Sequence, residues 1–214
     1  DYAVRRMLEA GAKMIVIACN TATAAAIDYL RASYPVPFVG LEPAVKPAAL
    51  TSRSGVIGIL ATAGSLKGHL FQTTAHKYAD RVRIIEQVGE GFVELVENNQ
   101  ENSPEAYETV VRLLKPMLDA GADRIVLGCT HYPFLADTMR KVIGDRDVQL
   151  INPAPAIERR VASLLEQYAL TADVDHKPEY TFMTSADDVY LARLIAKSEQ
   201  AKALVSAGNA AIFR

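Results

Sequence analysis

Cysteine is scarce in this sequence: two residues in 214. That excludes a disulfide framework and fits a reducing compartment, so a cytoplasmic protein is expected. Clustered positive charge is lacking as well. The net charge is −2 and no basic run exceeds the pair Arg159-Arg160, which leaves no footprint for nucleic acid or an anionic membrane surface. No apolar run approaches the ~20 residues of a membrane span, and no basic-then-apolar leader opens the sequence. No Cys-x-x-Cys pair offers a zinc site. Gly89-Glu90-Gly91 does not complete a nucleotide-binding loop. Half of the residues are apolar, ample for one large core or two smaller ones.

The two cysteines sit inside a repeat. Met14-Ile15-Val16-Ile17-Ala18-Cys19-Asn20-Thr21-Ala22 returns 110 positions later as Arg124-Ile125-Val126-Leu127-Gly128-Cys129-Thr130-His131-Tyr132. The flanks agree: Met7-Leu8-Glu9-Ala10-Gly11-Ala12 precedes the first copy and Met117-Leu118-Asp119-Ala120-Gly121-Ala122 the second. Val36–Val39 with Pro43-Ala44-Val45 is echoed by Val148–Ile151 with Pro155-Ala156-Ile157. Several matches near one offset indicate a duplicated unit, hence two similar halves about a pseudo-two-fold axis.

Short apolar runs alternate with helical patterns. Strands are predicted at Met14–Ala18, Val36–Val39, Gly55–Leu60, Val82–Gln87, Arg124–Gly128, Val148–Ile151 and Glu179–Met183. The continuous run at Met14–Ala18 predicts a strand buried on both faces. Helices are predicted at Ala22–Ala32, from Pro43, at Leu66–Tyr78, Phe92–Asn98, Ser103–Asp119, Phe134–Val142, Pro155–Leu165 and Asp188–Lys197. The alternation predicts an α/β fold with mostly parallel sheets. Asp1–Glu9 reads as the last turns of a helix stopped at Gly11, so the natural N-terminus is expected to precede Asp1.

In open α/β sheets ligands bind beyond the carboxyl ends of the strands, where both cysteines fall. Each is expected to precede a helix whose free N–H groups favour an anion, which would lower a thiol from about 8.5 toward neutrality. Two like thiols on opposite walls of one cleft suit proton transfer at a stereocentre, one as base and the other as acid, exchanging roles with direction. Asn20, Thr21 and Thr130 supply donors and acceptors for a small carboxylate and ammonium. The competing readings are a pair of buried apolar thiols, a disulfide, a metal site of Cys19, Cys129 and His131 that lacks a fourth ligand, and a single-cysteine transferase or hydrolase with His131 as base.

Ala18-Cys19-Asn20-Thr21-Ala22 and Gly128-Cys129-Thr130-His131-Tyr132-Pro133 resemble the two signature motifs of bacterial glutamate racemases, within the wider aspartate/glutamate racemase group. The likeness covers nearly the whole sequence, and His131-Tyr132-Pro133 favours the glutamate branch. The resemblance implies cofactor-independent interconversion of L- and D-glutamate, supplying D-glutamate for peptidoglycan and so for the cell wall. It implies Cys19 and Cys129 as the acid/base pair. Asn20, Thr21, Thr130 and His131 would be substrate ligands, with His131 also assisting its cysteine. Phe92-Val93-Glu94-Leu95-Val96-Glu97 matches a stretch whose final glutamate assists the second cysteine, nominating Glu97. Neither metal nor cofactor is implied, and a homodimer is. The family fold maps onto Asp1–Glu42 with Ala154–Arg214 as one α/β domain and Pro43–Pro153 as the other, with the active-site cleft between them. The resemblance departs at the start: family members open with a strand ending in Asp-Ser-Gly and carry a Tyr-Gly loop, so about fifty residues are expected ahead of Asp1. Two alternatives stay open beside the glutamate racemase. One is a racemase for aspartate or another amino acid. The other is a truncated, non-catalytic module that binds a small amino acid.

Overall fold

The computed structural model describes residues 1–185, 188–206 and 210–213. In chain order the elements are α1 (Tyr2–Glu9), β1 (Ile15–Ile17), α2 (Asn20–Ser33), β2 (Phe38–Gly40), α3 (Val45–Thr51), β3 (Val56–Ala61), α4 (Ala63–Lys67), α5 (His69–Tyr78), β4 (Arg83–Val88), α6 (Phe92–Glu97), α7 (Pro104–Asp119), β5 (Arg124–Gly128), a 3-10 turn (Tyr132–Leu135), α8 (Ala136–Ile143), β6 (Gln149–Ile151) and α9 (Ala154–Gln167). They are followed by β7 (Tyr180–Met183), α10 (Asp188–Ala196), α11 (Glu199–Ser206) and β8 (Ala210–Phe213). The chain divides into two compact units, Asp1–Leu170 and Thr171–Arg214. Both cysteines lie in the first.

Every described strand pair is parallel. In the larger unit β4-β3-β5-β6 form one sheet, and β1-β2 a separate one. The smaller unit contains the pair β7-β8. The four-stranded sheet is covered on both faces, which is why its two inner strands read as continuous apolar runs. One face packs Leu60, Ile125 and Leu127 against α6, α7 and α8 through Phe92, Val96, Leu113, Met117 and Met139. The other packs Ile57, Ile59 and Val126 against Val45, Ala48 and Phe71 of α3 and α5. The β1-β2 sheet has its own cluster, with Ile15 and Phe38 against Val4, Ile27 and Leu30.

Strand order sets the place of the site. From β3 the chain steps outward to β4 on one side, and from β5 it steps outward to β6 on the other. The reversal falls between β3 and β5, which run in register from Ile57↔Arg124 to Ala61↔Gly128. The crevice of such a sheet opens at that reversal, beyond the strand ends. Thr62 and Cys129 are the residues that leave the sheet there. At the opposite end Asp123 accepts hydrogen bonds from Ser52 Oγ (2.7 Å) and the amides of Arg53 (2.6 Å) and Ser54 (3.2 Å). Burial pushes its carboxyl up, but these donors outweigh burial and hold it at about 2.

The structure departs from the predicted elements at particular residues. Val16 of β1 is 39% exposed, so the strand is not buried on both faces. The second helix begins at Asn20 rather than Ala22, because Cys19 caps it. The helix predicted over Leu66–Tyr78 is two helices broken at Gly68, which has extended backbone. A Cβ there would stand 2.6 Å from Cβ of Ala24, so the break lets α2 pass. The helix predicted at Phe134 is preceded by the 3-10 turn. α11 and β8 answer to no predicted element. Ala186, Asp187, Ala207, Gly208, Asn209 and Arg214, all within the stretch 154–214 assigned to the first domain, lie outside the described residues.

Candidate active site

Cys19 follows β1 and is the N-cap of α2. Its backbone is extended, and its sulfur accepts a hydrogen bond from the amide of Ala22 at 3.4 Å. The thiol is exposed. A side-chain acceptor at an N-cap satisfies one of the orphan amides of the first turn. Asn20, the first helical residue, is only 3% exposed, and neither its amide nitrogen nor its carbonyl oxygen has a hydrogen-bond partner. A buried amide with both groups open is costly unless something else fills them. Thr21 points the other way. Its hydroxyl lies 2.7 Å from that of Thr62 and 3.2 Å from that of Ser65.

Cys129 follows β5 and is half-buried. Two residues on, His131 Nδ1 lies 3.8 Å from its sulfur. The other ring nitrogen, Nε2, lies 3.2 Å from Glu97 Oε1 at the end of α6. Glu97, His131 and Cys129 thus stand in series, and the His131 and Glu97 side chains are 25% and 32% exposed. With Nε2–H donating to the carboxylate, Nδ1 turns its lone pair to the thiol, so the carboxylate selects the tautomer.

The lowered pKa expected for Cys129 is not what the structure holds. Burial pushes its thiol above its ordinary value of 9.0. The amide of His131 opposes this, the charge of Cys19 adds to it, and the amides of Thr130 and Tyr132 oppose it again. Burial wins because no regular helix begins at Cys129; the 3-10 turn contributes a few amides and no long dipole. The two cysteines come from different sheets, but Thr21, beside Cys19, meets Thr62, which leaves β3 next to the strand end that carries Cys129, so both thiols border one region.

Thr130 is half-buried beside Cys129. Thr62 and Ser65, not among the sequence candidates, join the site. The Thr62 hydroxyl caps α4 by accepting from the amide of Ser65 at 3.2 Å, and lies 2.9 Å from the Ser65 hydroxyl. Ser65 is 1% exposed. The signal for Thr62 was its place directly after an apolar strand; what sequence lacked was the pairing that sets that strand beside Cys129. A hollow of about 460 Å³ opens next to this turn, lined by Thr62, Val88, Gly89, Glu94 and Tyr132 among others. Among the described residues no group of three or more His, Cys, Asp or Glu side chains is gathered as a metal would require.

A parallel α/β scaffold that carries two thiols at repeated strand ends, one of them backed by an imidazole and a carboxylate, suits a class of enzyme that moves a proton on and off a carbon. The Asp/Glu/hydantoin racemase family model matches residues 2–161. A glutamate racemase of Roseiflexus sp. (strain RS-1) is 44% identical over 191 residues, covering 88% of this chain and 70% of that protein. One of Herpetosiphon aurantiacus is 40% identical, with 88% and 74% covered. The solved structure of Escherichia coli glutamate racemase with L-glutamate and an activator superposes with a TM-score of 0.78 at 27% identity, covering 98% of this chain and 77% of that one. A glutamate racemase isoform of Bacillus anthracis shares the fold, with a TM-score of 0.79 at 24% identity. The chain belongs to the Asp/Glu/hydantoin racemase family and is an amino-acid racemase.

Proposed function

We propose that the substrate is glutamate, interconverted between its L and D forms by Cys19 and Cys129, and that the D-glutamate formed serves peptidoglycan synthesis. The observation that carries this reading is the series Glu97–His131–Cys129 at one strand end with an exposed thiol, Cys19, at the matching end of the other sheet. The relatives at 40–44% identity are glutamate racemases, which favours glutamate over aspartate.

In one direction a thiolate at Cys129, formed as the thiol proton passes to His131 Nδ1, takes the Cα proton. The bonding pair moves into the substrate α-carboxylate to give a planar dianion. The Cys19 thiol then donates its proton to the opposite face and is left as thiolate. The reverse direction exchanges the two roles. An imidazole held by Glu97 compensates for the raised pKa of Cys129, since the proton leaves to a neighbouring base rather than to water. The open amide of Asn20 offers a donor and an acceptor to the substrate head group. Thr21, Thr130 and His131 complete the polar lining, and Thr62 is added to it.

The test is Cα exchange of L-glutamate in D₂O, followed by NMR with polarimetry on one sample. Exchange accompanied by loss of rotation is the expected result. Exchange with retention would mean that only one thiol works. Neither change would leave a binding module, and the same assay with aspartate separates the other racemase.

A further inference from the structure

We infer that Thr138 is a positioning residue for the proton relay, holding Glu97 at its distance from His131 through the backbone of the loop after α6. This rests on the reading of Glu97–His131–Cys129 as a relay.

Glu97 is the last residue of a six-residue helix. A helix that short does not hold itself in water, so its end must be fixed from outside. Its N-terminal end is fixed by packing: Phe92 is fully buried and meets Tyr132 edge-on, with ring centroids 5.3 Å apart. The Tyr132 hydroxyl also donates to the carbonyl of Gly89 at 3.3 Å.

The C-terminal end, where Glu97 sits, is closed by a paired-carbonyl cap. The amide of Gln100 donates to Leu95 O at 2.8 Å and that of Asn99 to Val96 O at 3.2 Å, with Asn99 in the left-handed region at φ 57°. One residue beyond this cap, the carbonyl of Glu101 accepts from the Thr138 hydroxyl at 2.7 Å. Thr138 lies on α8, is 3% exposed, and makes the shorter of these two side-chain ties.

The segment 129–138 therefore grips α6 at both ends, with Tyr132 at the start and Thr138 past the end. That segment also carries Cys129 and His131. Backbone motion that would carry Glu97 away from His131 strains one of these ties. Without the Thr138 hydroxyl the cap can swing, the Nε2–Glu97 contact lengthens, and His131 loses the partner that selects its tautomer. Thr138 touches neither thiol nor substrate site; it acts through Glu97.

The experiment compares Thr138→Val, which keeps shape and removes the donor, with Thr138→Ser, which restores it. The first readout needs no substrate: carboxamidomethylation of Cys129 relative to Cys19 at neutral pH, quantified by mass spectrometry in the same sample. Thr138→Val is expected to slow Cys129 by about threefold or more while Cys19 is unchanged, with Thr138→Ser recovering. The second readout is kinetic: kcat with glutamate is expected to fall by about tenfold with little change in KM. The primary isotope effect with 2-deuterated substrate should rise only in the direction in which Cys129 takes the proton. Unchanged relative alkylation in Thr138→Val overturns the inference, as does an activity loss that merely follows the folded fraction with unaltered isotope effects. If the unaltered chain failed to racemise glutamate, the proposed function would fail while the alkylation ratio still decided the role of Thr138.

Discussion

Cys19 and Cys129 are the same side chain in two settings, and the difference is set by what each gives up to water. Cys19 caps a fourteen-residue helix and is exposed. Cys129 lies half-buried beside Tyr132, which is fully buried, and its raised pKa keeps it protonated at neutral pH unless His131 takes the proton. Alkylation should therefore be ordered. Iodoacetamide at pH 7 should label Cys19 first, and labelling of Cys129 should still be accelerating above pH 9. Peptide mass spectrometry across pH 6–10 measures both rates. Equal rates at pH 7 with a plateau below pH 9 would contradict this account of Cys129. The identity of the two thiols was legible because cysteine is so scarce and stands at repeated positions. The sign of the Cys129 shift was not, because it depends on how deeply Phe92 and Tyr132 bury that strand end, a property of packing rather than of neighbours in sequence.

Among the elements, α6 is the one whose position matters most for its size. Asn99 closes it in a left-handed conformation that costs most L-residues roughly 1–2 kcal/mol and asparagine less. Asn99→Ala should destabilise the chain by about 1 kcal/mol, whereas Asn99→Gly should be neutral or stabilising. Urea melts of the three proteins would settle it, and a harmless alanine would mean that the cap does not bear on stability. Elements with strong local signals were readable. Ser103-Pro104-Glu105 opens α7 as its cap, first turn and acidic first-turn residue. Gly11 ends α1 with φ 87°. Where tertiary contact decided the outcome, the pattern misled. The apolar stripe from Leu66 to Tyr78 continues across Gly68, and only the close passage of Ala24 explains the break. Likewise Val16 reads as core because its neighbours are apolar, although it is 39% exposed while Val39, its partner on β2, is buried.

At the scale of the molecule the governing fact is that the two enantiomers of an amino acid have equal free energy. The ratio kcat/KM must then be the same in both directions for any variant. A racemase that needs a proton partner on each face should lose both directions together when either thiol is removed. Cys19→Ser and Cys129→Ser are each expected to lower racemisation by at least about 10²-fold, read by polarimetry from either enantiomer. A silent Cys19→Ala would instead fit a single-nucleophile enzyme, the reading in which His131 serves Cys129 alone. The duplicated architecture was visible in sequence because the repeat spans strand, cysteine and following helix. The order in which the strands pair within each sheet was not, since hydrogen-bonded pairing leaves no mark on composition.

The division into separate sheets has a mechanical consequence. Glu97, His131 and Cys129 are carried by one scaffold whose strands are laddered together, so their mutual distances are stiff. Cys19 rides on the other sheet, and among the described residues no strand ladder joins β1 to β3 or β5. The link on this side of the site is the contact of α2 with α4: the hydroxyls of Thr21, Thr62 and Ser65, and Gly68 under Ala24. The spacing of the two sulfurs is therefore the compliant coordinate of the enzyme. It can widen or narrow while the distances among Glu97, His131 and Cys129 hold.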